Sequence, residues 1–252
     1  MNYRMKIQYD GTRYKGWQRQ AGSDEGATSM TIQGKIEAVL SKFTGRFTGI
    51  DGAGRTDAGV HALEQIANVR IGDEECTSAE ELKEYLNQYL PEDIRILDVE
   101  PAGERFHSRL NATGKRYCYH IIKYDKDCVF ARKYAWKVSA PLNVDRMKRA
   151  SQYFLGTHDF RSFCSRPSKK KSTVRTMKGI QIEETDPEIV LTFEGNGFLY
   201  NMVRILTGTL VEVGAGKREP EEMQEILEKR ERKQAGETAP AKGLFLERVF
   251  YD

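Results

Sequence analysis

The sequence predicts an α+β protein of two half-domains, residues 1–103 and 104–252. Three observations carry that prediction. Short runs of period-two alternation interleave with stretches of helical spacing, as strands and helices do. The same rhythm starts again near residues 100–110. The chain's 252 residues are long for one compact core, so one large domain or two fused halves is expected.

In the first half, Tyr3 to Tyr9 alternates like a strand. Thr31 to Phe43 carries apolar residues at Ile32, Ile36, Val39 and Leu40, one helical face, with Thr31 placed to cap it. Strands are predicted near Phe47 to Ile50 and at Gln65 to Arg70. Ser78 to Leu90 reads as a helix with Leu82, Tyr85, Leu86 and Tyr89 on one face, closed by Pro91. Ile94 to Val99 follows as a strand.

The second half opens with a strand at Lys115 to Lys123 and a helix at Asn143 to Leu155. Arg175 to Glu183 and Glu188 to Glu194 fit a hairpin about Asp186-Pro187. Phe198 to Val213 reads as a buried helix and Lys217 to Gln234 as a charged surface helix. Gly236 to Gly243 is expected to be a flexible approach to a last strand at Phe245 to Tyr251.

Composition excludes several classes of protein. The four cysteines, at 76, 118, 128 and 164, show no C-x-x-C spacing, which argues for reduced thiols in the cytoplasm rather than a disulfide framework. Cys118 and His120 alternate onto one strand face as two metal ligands would. No second pair supports them, and half-buried strand residues account for both. No run reaches membrane-spanning length, and the first residues lack the apolar core of a leader.

The net charge of +3 is small, but its distribution is not even. Gly103 to Arg149 holds 12 Lys and Arg against 4 Asp and Glu, and Arg161 to Lys178 holds 7 basic residues and no acid. Acids gather at Glu74 to Glu84 and Glu219 to Glu231. Segregation of this kind suits a face that meets phosphates. The run Lys169-Lys170-Lys171 also reads as a solvated loop, but aromatics interleaved with the charge at Phe106, Tyr117, Tyr119, Phe160 and Phe163 favour RNA, since they add base stacking to charge neutralisation.

Chemistry concentrates in Gly52 to Ala62, where three glycines and three alanines strip bulk from a loop around Arg55-Thr56-Asp57. Small residues permit positive φ and close ligand approach. The loop lacks the Gly-Lys-Ser/Thr ending of a phosphate-binding P-loop and the spacing of a dinucleotide fingerprint. On spacing alone, Asp57 reads equally as a solvated turn residue or as a carboxylate held ionised by a neighbouring guanidinium.

The string Gly54-Arg55-Thr56-Asp57-Ala58-Gly59-Val60-His61-Ala62 resembles the signature loop of the tRNA pseudouridine synthase A (TruA) family. Further similarity runs along the chain in Tyr9-Asp10-Gly11-Thr12, Gly16-Trp17-Gln18-Arg19-Gln20, Thr31-Ile32-Gln33-Gly34, Phe106-His107-Ser108-Arg109 and Lys115-Arg116-Tyr117-Cys118-Tyr119. It continues in Gly156-Thr157-His158-Asp159-Phe160, Lys171 to Thr176, Asn201-Met202-Val203-Arg204 and Pro240-Ala241-Lys242-Gly243-Leu244. The resemblance implies the pseudouridine synthase fold, in which two αβ half-domains share a mixed, mostly antiparallel central sheet with the active-site cleft between them.

It implies roles as well. Asp57 is the expected catalytic carboxylate, Arg204 the arginine that pairs with it, and Tyr117 the residue that stacks on the flipped uracil and assists deprotonation at C5. Arg55 is expected to contact the backbone of the extruded nucleotide. Leu244 packs against the target base in the family and reads equally as core. His61 and Arg109 are expected RNA contacts with Lys169, Lys170 and Lys171, although His61 also reads as a structural loop histidine. The implied substrate is the tRNA anticodon stem-loop, at family positions 38–40, bound by a cytoplasmic homodimer. The isomerisation gains and loses no atoms, so neither cofactor nor metal is expected. Glu64, where a glycine is commoner, and the longer polar segment Ala21 to Met30 depart from the family pattern and point to an altered target preference.

Two other classes compete. A non-catalytic tRNA binder would keep the basic face without needing the set Asp57, Tyr117 and Arg204. A nucleoside or glycoside hydrolase would need a second catalytic carboxylate, and no motif supplies one.

Overall fold

The computed structural model describes residues 1–19, 30–72, 78–167 and 171–252. The chain forms two compact units, Met1–Thr113 with Phe245–Asp252, and Gly114–Leu244. The sequence rhythm sets the joint at 103/104, whereas the compact units divide at 113/114 and the C-terminal strand returns to the first unit. That return depends on a pairing with a strand far away in sequence, which local periodicity does not register.

In the first unit, β1 (Asn2–Tyr9) is central. Its alternation buries Tyr3, Met5, Ile7 and Tyr9 on one face. It pairs antiparallel with β3 (His61–Arg70) and with β4 (Ile94–Ala102). The short β2 (Ile50–Gly52) adds antiparallel to β3, and β10 (Leu244–Phe250) joins β3 in parallel through Phe245↔His61 and Leu246↔Ala62. The sheet is therefore mixed and mostly antiparallel.

Its helices follow from their caps. In α1 (Ile32–Thr44) the Thr31 hydroxyl accepts the Gly34 amide, the predicted apolar stripe is buried, and Gly45 in the left-handed region ends the helix. In α2 (Ala79–Tyr89), Ser78 and Glu81 form a reciprocal capping box. Leu82 and Leu86 of that helix are buried, but Tyr89 is exposed. The strand expected at Phe47 to Ile50 begins only at Ile50, because Phe47 lies outside on the surface beneath the Arg19 guanidinium.

The second unit carries β5 (Gly114–Ile122), β9 (Glu188–Gly195), β8 (Val174–Glu184) and β7 (Gly156–Asp159) in antiparallel order, with β6 (Trp136–Lys137) parallel to β5. The β8–β9 hairpin turns at a cis Asp186-Pro187 bond. Helices α3 (Val144–Gln152) and α4 (Met202–Gly214) pack together, and α4 is buried along nearly its whole length. The charged surface helix is shorter than its pattern suggests: α5 spans Glu222–Lys229 and stops where Arg230 turns left-handed.

The segment after it is not a loose approach. Gly236 N–H donates to Thr209 Oγ1 (2.9 Å), Glu237 N–H to Glu212 Oε1 (3.0 Å), and the Pro240 carbonyl accepts the Tyr119 hydroxyl (2.7 Å). These bonds fasten residues 236–240 along α4 and β5. The expectation of flexibility, drawn from composition, is corrected by long-range bonds that composition does not encode.

The fold class is α+β, with helices layered on mixed, mostly antiparallel strands in each unit. Among the described residues no helix is long and apolar enough to cross a membrane.

Candidate active site

The loop between β2 and β3 carries Asp57, and its backbone is fixed by contacts on both sides. Trp17 N–H donates to the Thr56 carbonyl (3.1 Å), Val60 N–H to the Asp57 carbonyl (3.1 Å), and Gly59 N–H to the Tyr14 carbonyl (3.3 Å). The Tyr9 and Thr56 hydroxyls lie 2.8 Å apart in a buried hydrogen bond. Burial pushes the Tyr9 phenol well above its usual range, and the Thr56 contact pulls the other way. Tyr9 therefore stays neutral and locks the residue next to Asp57.

Only one of the loop's glycines takes positive φ, Gly59 at 77°. Gly52 serves a different end: a Cβ there would stand 2.5 Å from the Trp17 indole. Small residues thus let Trp17 and the preceding segment lie against the loop, with Asp57 half-buried and Arg55 exposed. Gln65, itself buried, donates to the Gly54 carbonyl at 2.8 Å and ties the loop to β3.

Arg204 lies in the first turn of α4 in the second unit. Its Nε donates to the Ala239 carbonyl (2.7 Å) and one terminal nitrogen to Asn201 Oδ1 (3.1 Å), while its own carbonyl accepts the Ala239 amide (3.1 Å). The Asn201 amide group reaches the Ser165 hydroxyl at 3.0 Å. Among the described residues, Asn201 is one of two non-glycine residues with positive φ, 61°. Strain of that kind is held where surrounding contacts over-determine it. This left-handed residue also explains why α4 starts at Met202 rather than at Phe198.

The same unit holds Tyr117, Tyr119 and Leu244. Tyr117 is buried on β5, edge-on to Phe198 with ring centres 5.0 Å apart, and Leu244 is buried at the start of β10. Burial raises the Tyr119 phenol far above its ordinary range, although the Arg204 guanidinium nearby pulls it down. Tyr119 therefore acts as a neutral donor to Pro240. Arg116, beside Tyr117, is paired with Glu194 at 2.8 Å.

His61 is 1% exposed, stacks on Phe245, and has Nδ1 3.1 Å from Gly11 N and 3.0 Å from Asp10 Oδ1. Of the two readings the sequence left open for it, these contacts favour the structural one, a strut between β3 and the Tyr9–Thr12 turn. Arg109 and Lys171 are exposed, and Lys169 and Lys170 lie outside the described residues, as does most of the polar segment Ala21 to Met30. Cys118 Sγ lies 3.7 Å from His120 Nε2, and Glu188 occupies the other ring nitrogen at 3.0 Å. Among the described residues no group of three or more His, Cys, Asp or Glu is gathered as a metal set. Tyr9, Trp17 and Asn201 received no role from the sequence, although each stands in a motif that carried the resemblance.

A test of the Arg204 anchor follows from Gly208. A Cβ at that position would stand 2.0 Å from the Glu237 carbonyl oxygen, and a backbone atom cannot swing aside. Gly208→Ala is expected to lose about 2 kcal/mol or more in urea unfolding. It is also expected to lower activity by displacing Ala239, which holds Arg204.

The tRNA pseudouridine synthase family model matches residues 5–111 and 150–252. The chain is 50% identical over 250 residues to tRNA pseudouridine synthase A of Bacillus sp. KSM-64, covering 99% of both chains. It is 46% identical over 248 residues to tRNA pseudouridine synthase A 2 of Bacillus cereus, covering 98% of both. It is 42% identical over 250 residues to tRNA pseudouridine synthase A of Clostridium kluyveri, covering 99% of both. A match of this length and identity, with the Asp57 loop and the Arg204 helix both inside the matched ranges, shows that the chain belongs to the tRNA pseudouridine synthase family, isomerases that convert uridine to pseudouridine in tRNA.

Proposed function

We propose that this enzyme modifies uridines of the tRNA anticodon stem-loop, family positions 38–40, with Asp57 as the catalytic carboxylate. The observation that carries the assignment of Asp57 is the doubly fastened loop. Tyr9 locks Thr56 on one side and Tyr14 holds Gly59 on the other, so the backbone that presents the carboxylate is held on both sides, which supports a pre-organised role for it.

In the reaction the N1–C1′ bond breaks and a C5–C1′ bond forms, the C5 proton leaves, and a proton is gained at N1. Asp57 acts at the sugar, either by adding to C1′ or by taking the 2′ proton, while the detached base turns. Arg204 keeps that carboxylate ionised and oriented. Tyr117 lies against the uracil and assists removal of the C5 proton. Leu244 packs on the target base. Arg55 answers the phosphates of the flipped nucleotide, and Arg109 and Lys169, Lys170 and Lys171 contact tRNA phosphates farther out. The enzyme works in the cytoplasm as a homodimer with the RNA spanning both subunits, and it requires no cofactor.

Tritium release from transcripts labelled at uridine C5 tests this reading. Release is expected from tRNAs with uridine at positions 38–40 and is expected to vanish when those uridines are replaced by cytidine. Undiminished release from the cytidine-substituted RNA would overturn the assigned target.

A further inference from the structure

The second unit holds a basic groove that the roles above leave unused. Its volume is about 380 Å³, and Arg161, Cys164, Ser165, Arg230, Glu231, Arg232 and Lys233 are among the residues that line it, four cations against one acid. Arg161, Arg230 and Lys233 are exposed. Arg232 is half-buried, its guanidinium fixed by the Ala235 carbonyl (3.2 Å) and Thr238 Oγ1 (3.0 Å). Burial lowers its affinity for a proton, and the Glu212 carboxylate pulls the other way. Asp159, half-buried, meets Arg230 only at 3.4 Å, and Glu231 meets Lys233 at 3.1 Å in exposed geometry where an ion pair contributes little.

Two neighbours point to a nucleic acid rather than a small anion. Tyr200 is 45% exposed with the Arg166 guanidinium 5.5 Å from its ring centre, and its carbonyl accepts the Ser165 amide at 3.3 Å. An exposed ring beside a cationic groove offers stacking next to phosphate neutralisation. Ser165 also receives the Asn201 amide group, and Asn201 accepts from Arg204. The groove wall is thus two hydrogen bonds from Arg204.

We propose that this groove binds the tRNA phosphates adjoining the target uridine, with Arg161, Arg230 and Lys233 as the phosphate contacts and Tyr200 as a stacking platform. The inference rests on the reading of Arg204 as part of the active site.

The test measures the salt dependence of binding for intact tRNA and for the isolated anticodon stem-loop, comparing wild type with the triple variant Arg161→Gln, Arg230→Gln, Lys233→Gln. The slope of log affinity against log salt is expected to flatten by about 2 with both RNAs, and affinity at moderate salt to fall about tenfold or more. The charge-retaining variant Arg161→Lys, Arg230→Lys, Lys233→Arg is expected to keep the slope. An unchanged slope in the neutralised variant overturns the site. A change seen with intact tRNA but not with the stem-loop overturns its placement beside the target. Wild-type protein that forms no pseudouridine, with the slope change still present, would reject the catalytic reading and leave the groove standing.

Discussion

Asp57→Asn is expected to abolish pseudouridine formation, by about four orders of magnitude or more in single-turnover rate, while tRNA affinity stays within about tenfold. The amide is nearly isosteric, so the contacts that fasten the loop survive: Tyr9 to Thr56, Trp17 to the Thr56 carbonyl, and Val60 to the carbonyl of residue 57 are made by other residues or by main chain. What disappears is the anion proposed to act on the sugar. One neutralised carboxylate removes no phosphate contact, so binding and chemistry separate. A parallel loss of both would instead mean that the loop had collapsed, which a melting curve distinguishes.

Replacing Arg204 is expected to produce the second-largest loss. Arg204→Lys keeps the charge, yet a single ammonium on a flexible stem does not reproduce the planar fork that engages Ala239 through Nε and Asn201 through a terminal nitrogen. With the cation displaced from its set position, activity is expected to fall about 100-fold or more with little change in stability. Arg204→Met removes the charge as well. Without a nearby cation a carboxylate ionises at higher pH, so the pH-rate profile of the residual single-turnover activity is expected to move upward relative to the lysine variant. An unshifted profile would mean that another cation tunes the reacting carboxylate, and Arg55 would be tested next.

How much of this was legible in the sequence varies with the range of the interactions involved. The Thr31 cap was readable because it is local, acting on Gly34 within three residues, and the apolar stripe of α1 is a periodicity; the equally local box of Ser78 with Glu81 was not drawn from the sequence. The β8–β9 hairpin was readable for the same reason. The return of β10 to β3 was hidden, since it joins residues 245–246 to 61–62 and leaves no local trace. Residues 236–240 looked loose from their Gly and Pro content, yet Thr209, Glu212 and Tyr119 bind them from far away in sequence.

The candidate site divides in the same way. Asp57 stood out because a tight loop of small residues is a local signal. The apparatus around it was less visible. Tyr9 reads as one more buried strand tyrosine until its hydroxyl is found on Thr56. Asn201 reads as a polar residue before a helix until its positive φ and its two side-chain bonds are seen. His61, in the middle of the signature string, belongs to the scaffold, because the small residues around it make room for its ring to be buried against Phe245.

The central claim is that Asp57 drives isomerisation of anticodon stem-loop uridines. It is tested most directly by position-resolved mapping of pseudouridine in tRNA after incubation with purified wild-type and Asp57→Asn protein. The account predicts pseudouridine at one or more of positions 38–40 with the wild type and none with the variant. Pseudouridine elsewhere in the tRNA alone, or formation by the variant at near wild-type rate, would contradict it.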